Sequence, residues 1–201
     1  MEEQDIKKAR AINELMLTVG QISKFGTLET ESTRLREYLV KLGESFLSLG
    51  DDPVENINRL VAICGEFMEA TCALYNRLEQ AMLCSVGQWC TPKNYKSIDK
   101  PEGHICYDVI THANDNPFIV HNLQNSPYAM TDPNVSTYKL RTYVGLAVKF
   151  KDTFVGSLCV VFQKDFTPNA EQIRFMRIIV SAIAVEENHR QTQLTLQESK
   201  E

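Results

Sequence analysis

The sequence predicts an α+β fold: an antiparallel sheet of five or six strands with long terminal helices on one face, preceded by an N-terminal helical segment. Three observations carry this reading. All seven prolines lie between Pro53 and Pro168, so residues 1–52 and 169–201 lack the residue that helix interiors exclude. Apolar residues recur at helical spacing near both ends and in short alternating or continuous runs between them. The inferred strands follow one another through tight turns or short helices, connections that give antiparallel neighbours.

The elements follow in order. Ile12, Leu15, Met16, Val19 and Ile22 make residues 3–25 an amphipathic helix that Gly26-Thr27 can end. Leu28, Leu35, Leu39, Leu42, Phe46 and Leu49 are separated by steps of 7, 4, 3, 4 and 3, a heptad seam that suits either a helical pair packed on its own domain or a dimerising signalling helix. The two segments read equally as one bent helix or as a hairpin. Asp52-Pro53 caps and starts a third helix, which is apolar at Ile57, Leu60, Val61, Cys64, Phe67 and Met68 and runs to about Ala70. Residues 73–78 and 82–86 flank a polar turn at Glu79-Gln80 and read as a hairpin. Residues 87–103 read as a loop, with a sixth strand placed, if present, around Gln88-Trp89-Cys90. A short helix over 104–112, a strand over 118–123 and a loop with a short helix over 126–140 come next. Two strong strands, 142–150 and 154–163, turn at Lys151-Asp152. Thr167-Pro168 opens the last helix, buried in its first half and polar after Glu186. The organisation is thus a helical signalling or dimerisation segment over 1–50, a mixed α and β domain over 51–190, and a helical continuation or tail over 191–201.

Composition sets the outer limits. A chain of 201 residues with 43% apolar and 23% charged residues holds one domain, or one with an appendage. The net charge of −5 argues against a nucleic-acid or anionic-membrane surface, and Lys7, Lys8, Arg10 and Lys24 are interleaved with acids. No apolar run approaches the ~20 residues that span a bilayer, and MEEQDIKKAR lacks the apolar stretch of a secretion signal, so a cytoplasmic location is expected. The six cysteines, at 64, 72, 84, 90, 106 and 159, form no CxxC or CxxCH pattern; no metal site is expected, and the thiols read as buried.

Several stretches together resemble a known family. Tyr138-Lys139-Leu140-Arg141-Thr142-Tyr143-Val144-Gly145 is similar to the Y-x-L-R/K-S/T-Y-x-G stretch of GAF domains. Val155-Gly156-Ser157-Leu158-Cys159-Val160 resembles their I/V-G-S/T-L-C-V strand, as found in bacterial sensor kinases. Phe166-Thr167-Pro168 with Ile173 resembles the end of the same domain. Gly103-His104-Ile105-Cys106-Tyr107 and the 117–123 strand fall where that family has its middle helix and third strand. The resemblance spans roughly Asp51 to Arg190. It implies a six-stranded sheet, a small-molecule pocket, a homodimer paired through terminal helices, and coupling to a kinase or other output domain in two-component signalling.

No catalytic set is visible: G-x-S-x-G, H-E-x-x-H and the phosphate loop are all missing. Within the family, free-methionine sulfoxide reductases carry a catalytic cysteine in a G-x-x-C-G segment, and Cys106 is similarly placed. Tyr107 departs from that pattern, and with Cys159 far along on a strand no resolving thiol is evident. Gln163-Lys164, Phe166 and Ala170-Glu171 lack the Asn and first acid of cyclic-nucleotide GAF domains, and there is no Cys-His pair for a bilin. Haem through His104 or His121 stays open, and no cofactor is assigned. Aromatic and polar side chains that both bury area and orient a guest place the ligand walls at Trp89, His104, Cys106, His121, Tyr128, Tyr138 and Tyr143. Gly145 and Gly156 are expected to let a helix approach the sheet. The functional expectation is a non-enzymatic sensor of an unidentified small molecule. The alternatives are a Cys106 reductase and a degenerate dimerising spacer.

Overall fold

The computed structural model describes residues 29–198, except 113 and 115. The chain divides into two compact units at Asp51/Asp52. In the first, helix α1 (Glu29–Leu47) buries Leu35, Leu39 and Leu42, the middle of the heptad seam. The expected helix over 3–25, its junction with α1, and Leu28 lie outside the described residues.

The second unit is built on a six-stranded, wholly antiparallel sheet in the order β3-β2-β1-β6-β5-β4. The strands are β1 (Cys72–Glu79), β2 (Met82–Trp89), β3 (Ile98–Asp99), β4 (Phe118–Val120), β5 (Thr142–Phe150) and β6 (Thr153–Phe162). Helix α2 (Pro53–Met68) starts where the sequence places it, because the Asp52 carboxylate accepts the amides of Val54 and Glu55. It packs on one face beside the long C-terminal helix α6 (Ala170–Glu198), with the Phe67 and Phe175 rings 4.1 Å apart. The other face is roofed by α3 (Ile105–Thr111), α4 (Tyr128–Thr131), α5 (Pro133–Thr137) and the loop after β2.

Local chemistry moves several boundaries. The sixth strand is Ile98–Asp99, whereas Gln88 and Trp89 belong to β2. Strand β4 stops at Val120, short of Leu123, because Asn122 turns left-handed (φ 49°) and Leu123 N–H donates to the Arg141 carbonyl. Helix α2 ends at Met68, since Glu69 is left-handed (φ 50°). Helix α6 begins two residues after Pro168: Asn169 and Gln172 exchange side-chain-to-amide hydrogen bonds of 2.9 Å, a reciprocal cap that outcompetes Thr167-Pro168. The strand glycines also differ from expectation. A Cβ on Gly145 would stand 2.6 Å from the Tyr143 hydroxyl, and one on Gly156 equally near the Tyr75 hydroxyl, so tyrosines and not helices fill these places. The close helix approach is at Gly87, where a Cβ would meet Val61 and Ile57 of α2 at 2.7 and 2.9 Å.

Helix α6 is buried through its first half, as its apolar positions require, but the burial reaches the acids Glu186 and Glu187. Arg77 of β1, only 5% exposed, donates through Nε and Nη2 to one Glu187 oxygen at 2.8 and 2.6 Å. Arg190 donates to the other Glu187 oxygen and to Glu79, both at 3.2 Å. Asn56 of α2 donates to Glu186 at 2.9 Å. Replacing Glu187 by Ala removes both short hydrogen bonds of the buried guanidinium and leaves it only the longer 3.5 Å contact to Glu79. This should cost about 3–5 kcal/mol in urea unfolding. Glu55→Ala, which breaks only the exposed Arg59–Glu55 pair, should change stability by less than about 1 kcal/mol.

Candidate functional site

A cavity of about 360 Å³ lies between the sheet and its irregular roof. That is within the range that encloses small organic ligands. Its floor is made by Leu74 and Asn76 of β1, Leu83 and Ser85 of β2, and Cys159 and Val161 of β6. Strand alternation puts these on one face, opposite Tyr75, Arg77 and Leu158.

The polar groups on the floor form one chain. Tyr95 and Ser85 share a hydrogen bond of 2.6 Å, Ser85 donates to the Asn76 amide oxygen at 2.5 Å, and Asn76 Nδ2 then points at Cys106 Sγ, 3.0 Å away. Because the Asn76 oxygen is taken by Ser85, its NH₂ is the end left for the sulfur. Cys106 Sγ also lies 3.4 Å from the Tyr143 hydroxyl and 3.7 Å from Cys159 Sγ. Chiefly the hydrogen bond from the Cys159 thiol, and then that from Tyr143, hold the Cys106 thiol below its ordinary value although burial opposes them. Cys159 is pushed well up by the same hydrogen bond and by burial. Cys72, on the same floor, is pushed up to about 12 by burial.

The roof is fastened by Asp132, a residue sequence reasoning passed over. Its carboxylate accepts the amides of Asn134, capping α5, and of Ile105, the first residue of α3, at 3.0 and 3.1 Å. It also faces His104 Nδ1 at 3.3 Å. Asp99 faces the other ring nitrogen at 3.9 Å. The hydrogen bond to Asp132 raises the His104 imidazole above 6.5, against the opposing effect of burial. The Tyr128 hydroxyl donates to Asp108 at 2.7 Å, tying α4 to α3.

Of the seven side chains expected to form the walls, His104, Cys106, Tyr138 and Tyr143 line the cavity. Tyr128 packs behind them in the roof, and His121 is exposed on the turn after β4. Trp89 lies on the opposite face, against Gly65 of α2. A β-bulge explains Trp89. Tyr75 pairs with Gly87 but Asn76 with Ser85, so Val86 is an extra residue in β2. Without it, Trp89 would share the face of Leu83 and Ser85. Asn58 of α2 holds the bulge by donating to the Val86 carbonyl and accepting from Gln88 N–H. Asn76, Ser85, Tyr95 and Asp132 were missed because their roles depend on that register and on loop packing. The signal available was a pair of polar residues, Asn76-Arg77, inside an apolar strand. Among the described residues, no group of three or more His, Cys, Asp or Glu side chains is placed to hold a metal.

No family model and no curated protein matches the chain. Solved structures do. The GAF domain of a phosphoenolpyruvate-protein phosphotransferase from Coxiella burnetii superposes with a TM-score of 0.66 at 12% identity, over 83% of this chain and 98% of that one. The fold is that of a GAF domain. A free methionine-R-sulfoxide reductase from Neisseria meningitidis, solved with its substrate, matches at TM-score 0.63 and 11% identity over 84% and 96% of the two chains. The GAF domain of a sensor histidine kinase from Pseudomonas syringae pv. tomato gives 0.58 and 15% over 85% and 96%. Among the described residues, no helix of this GAF fold is long and apolar enough to cross a membrane.

The His104–Asp132 contact has a pH signature. Its folded midpoint exceeds the unfolded one, so the stability it adds is complete below pH 6.5 and is lost as pH rises through the folded midpoint. Urea midpoints should fall across that window in the wild type and stay flatter in Asp132→Asn. An NMR titration should place the His104 midpoint above 6.5 and show it lowered in the variant.

Proposed function

We propose that this chain is a sensory domain that binds a small organic molecule in the cavity above Asn76 and Cys106. The observation that supports this most directly is the cavity itself. A core filled by its own side chains would have favoured a dimerising spacer, whereas this one keeps about 360 Å³ between two well-fastened layers. Its lining is mostly apolar, with hydrogen-bonding groups gathered at the floor and at His104, an arrangement that orients a guest as well as burying it. Lys96 and, beside His104, the carboxylates of Asp99 and Asp132 also line it, so charged groups of both signs are available to the polar end of a guest.

In this reading, binding selects one arrangement of α3–α5, and the terminal helices report it between two copies in a cytoplasmic homodimer. An attached or partner kinase is the output. Moving such a switch from mostly off to mostly on takes about 10⁴-fold preference for one state, or about 5.5 kcal/mol. The side-chain network allows the coupling: Asn76 faces the guest, while Arg77, the next residue, holds α6 through Glu187. The GAF domains of the phosphotransferase and of the sensor kinase add support by fold.

A second reading, a reductase of a small sulfoxide, is favoured by one observation: Cys159, remote in sequence, stands 3.7 Å from Cys106 and supplies the second thiol such chemistry needs. The fold likeness to the sulfoxide reductase agrees with it.

Two measurements separate these readings. Native mass spectrometry with an absorption spectrum of the purified chain should reveal a heavier or coloured species that loses its guest on denaturation. Failing that, a thermal-shift screen of small organic compounds should raise the melting temperature of the wild type, and less so that of Tyr138→Ala. If neither detects a guest, sensing is rejected. In parallel, free methionine sulfoxide with a dithiol reductant should be left unconsumed. Turnover that disappears in Cys106→Ser would replace the sensor with the reductase.

A further inference from the structure

Five of the six cysteines lie outside the described hydrogen-bond chain or carry raised thiols, or both; Cys106 has hydrogen-bonding groups on three sides. Asn76 Nδ2 at 3.0 Å, the Tyr143 hydroxyl at 3.4 Å and the Cys159 thiol at 3.7 Å surround its sulfur. These groups stabilise negative charge on sulfur, and the thiolate is the reactive form. The opposite situation holds for Cys64, fully buried and pushed up to about 12. Both Cys106 and Cys159 line the cavity, so a molecule that enters it meets the pair together.

We propose that Cys106 and Cys159 are a redox-active dithiol that reduces a small hydroperoxide admitted to the cavity and ends as an intramolecular disulfide. The Cys106 thiolate attacks the terminal peroxide oxygen. The S–O bond forms, the O–O bond breaks, and the departing alkoxide or hydroxide takes a proton, leaving Cys106 as a sulfenic acid. Cys159 sulfur then attacks Cys106 sulfur. The S–S bond forms, the S–O bond breaks, and the leaving hydroxide takes the Cys159 proton as water. Two thiols and one hydroperoxide become one disulfide, one alcohol (or water) and one further water. The sulfurs must close from 3.7 Å to about 2.0 Å. Cys159 is fixed in the central strand β6, so the movement falls to side-chain rotation and to α3 at the roof. Once the disulfide forms, Asn76 and Tyr143 lose their anionic acceptor at the cavity floor.

This activity goes beyond ligand sensing and does not depend on it. The pair could serve a sensor or stand alone. The test uses the full chain, pre-reduced and freed of reductant, with hydrogen peroxide near equimolar. The wild type should lose two thiols per chain and two hydrogen atoms of mass, and a non-reducing digest should contain the Cys106–Cys159 cross-link. Cys159→Ala should stop at a sulfenic acid on Cys106, trapped by a dimedone probe. Cys106→Ala should slow thiol loss by about tenfold or more. Circular dichroism checks that both variants fold; the cross-link map of the wild type needs neither. A cross-link through Cys72 or Cys90 instead, wild-type oxidation rates in a folded Cys106→Ala, or unchanged thiols in the wild type would each overturn the proposal. Ligand binding measured on Cys159→Ala shows separately whether the sensing reading survives.

Discussion

Strand β1 runs through the middle of the sheet and carries two consecutive polar residues, Asn76 and Arg77, both withdrawn from water. A strand sends neighbouring side chains to opposite faces, so the two demands must be met on different sides. On one side the guanidinium requires a counter-ion, and α6 supplies Glu187 from just past its buried apolar stretch. On the other side the Asn76 amide requires both a donor and an acceptor, and finds Ser85 and the Cys106 sulfur. An unpaired charge or amide at either place costs several kcal/mol, comparable with the whole stability of a domain this size. The positions of α6 and α3 over the sheet are therefore fixed by the same dipeptide.

The bulge at Val86 completes that arrangement. It lets β2 present Leu83 and Ser85 to the cavity and Gly87 and Trp89 to α2, so that a helix can settle on the glycine while Ser85 stays beside Asn76. Asn58 makes the bulge stable by pairing the backbone groups that the ladder leaves over. Tyr143 and Tyr75 solve a related problem on opposite faces: each is fully or nearly fully buried, and each lies over a glycine that leaves room for its ring.

Above the floor, the roof is held by few bonds of high quality. Asp132 joins α3 to α5, and the Gln124 amide donates to the carbonyls of Val135 and Leu140, both at 2.8 Å. Short helices fastened at their ends by polar contacts move as units, and they enclose a space that the sheet alone would leave open. The cavity and the Cys106–Cys159 contact both arise from this lid-and-floor construction.

Local signals in the residues decide the α2 cap at Asp52-Pro53, the β1–β2 and β5–β6 hairpins, the short helix between His104 and His112, and the burial of the first half of α6, whereas its extension to Glu186 and Glu187 depends on Asn56 and Arg77. Periodicity and turn chemistry suffice for these because the partners lie within a few residues. Together with the GAF-like motifs they gave the antiparallel fold, and four of the seven expected wall residues line the cavity. Only the tertiary structure decided the rest. One inserted residue reverses which face every later side chain of β2 occupies, which no alternation pattern reveals, and so Trp89 left the cavity side while Asn76 and Ser85 became its floor. Cys159 meets Cys106 across 53 residues of chain, and Arg77 meets Glu187 across 110, because contacts at that separation exist only once the strands have chosen their register.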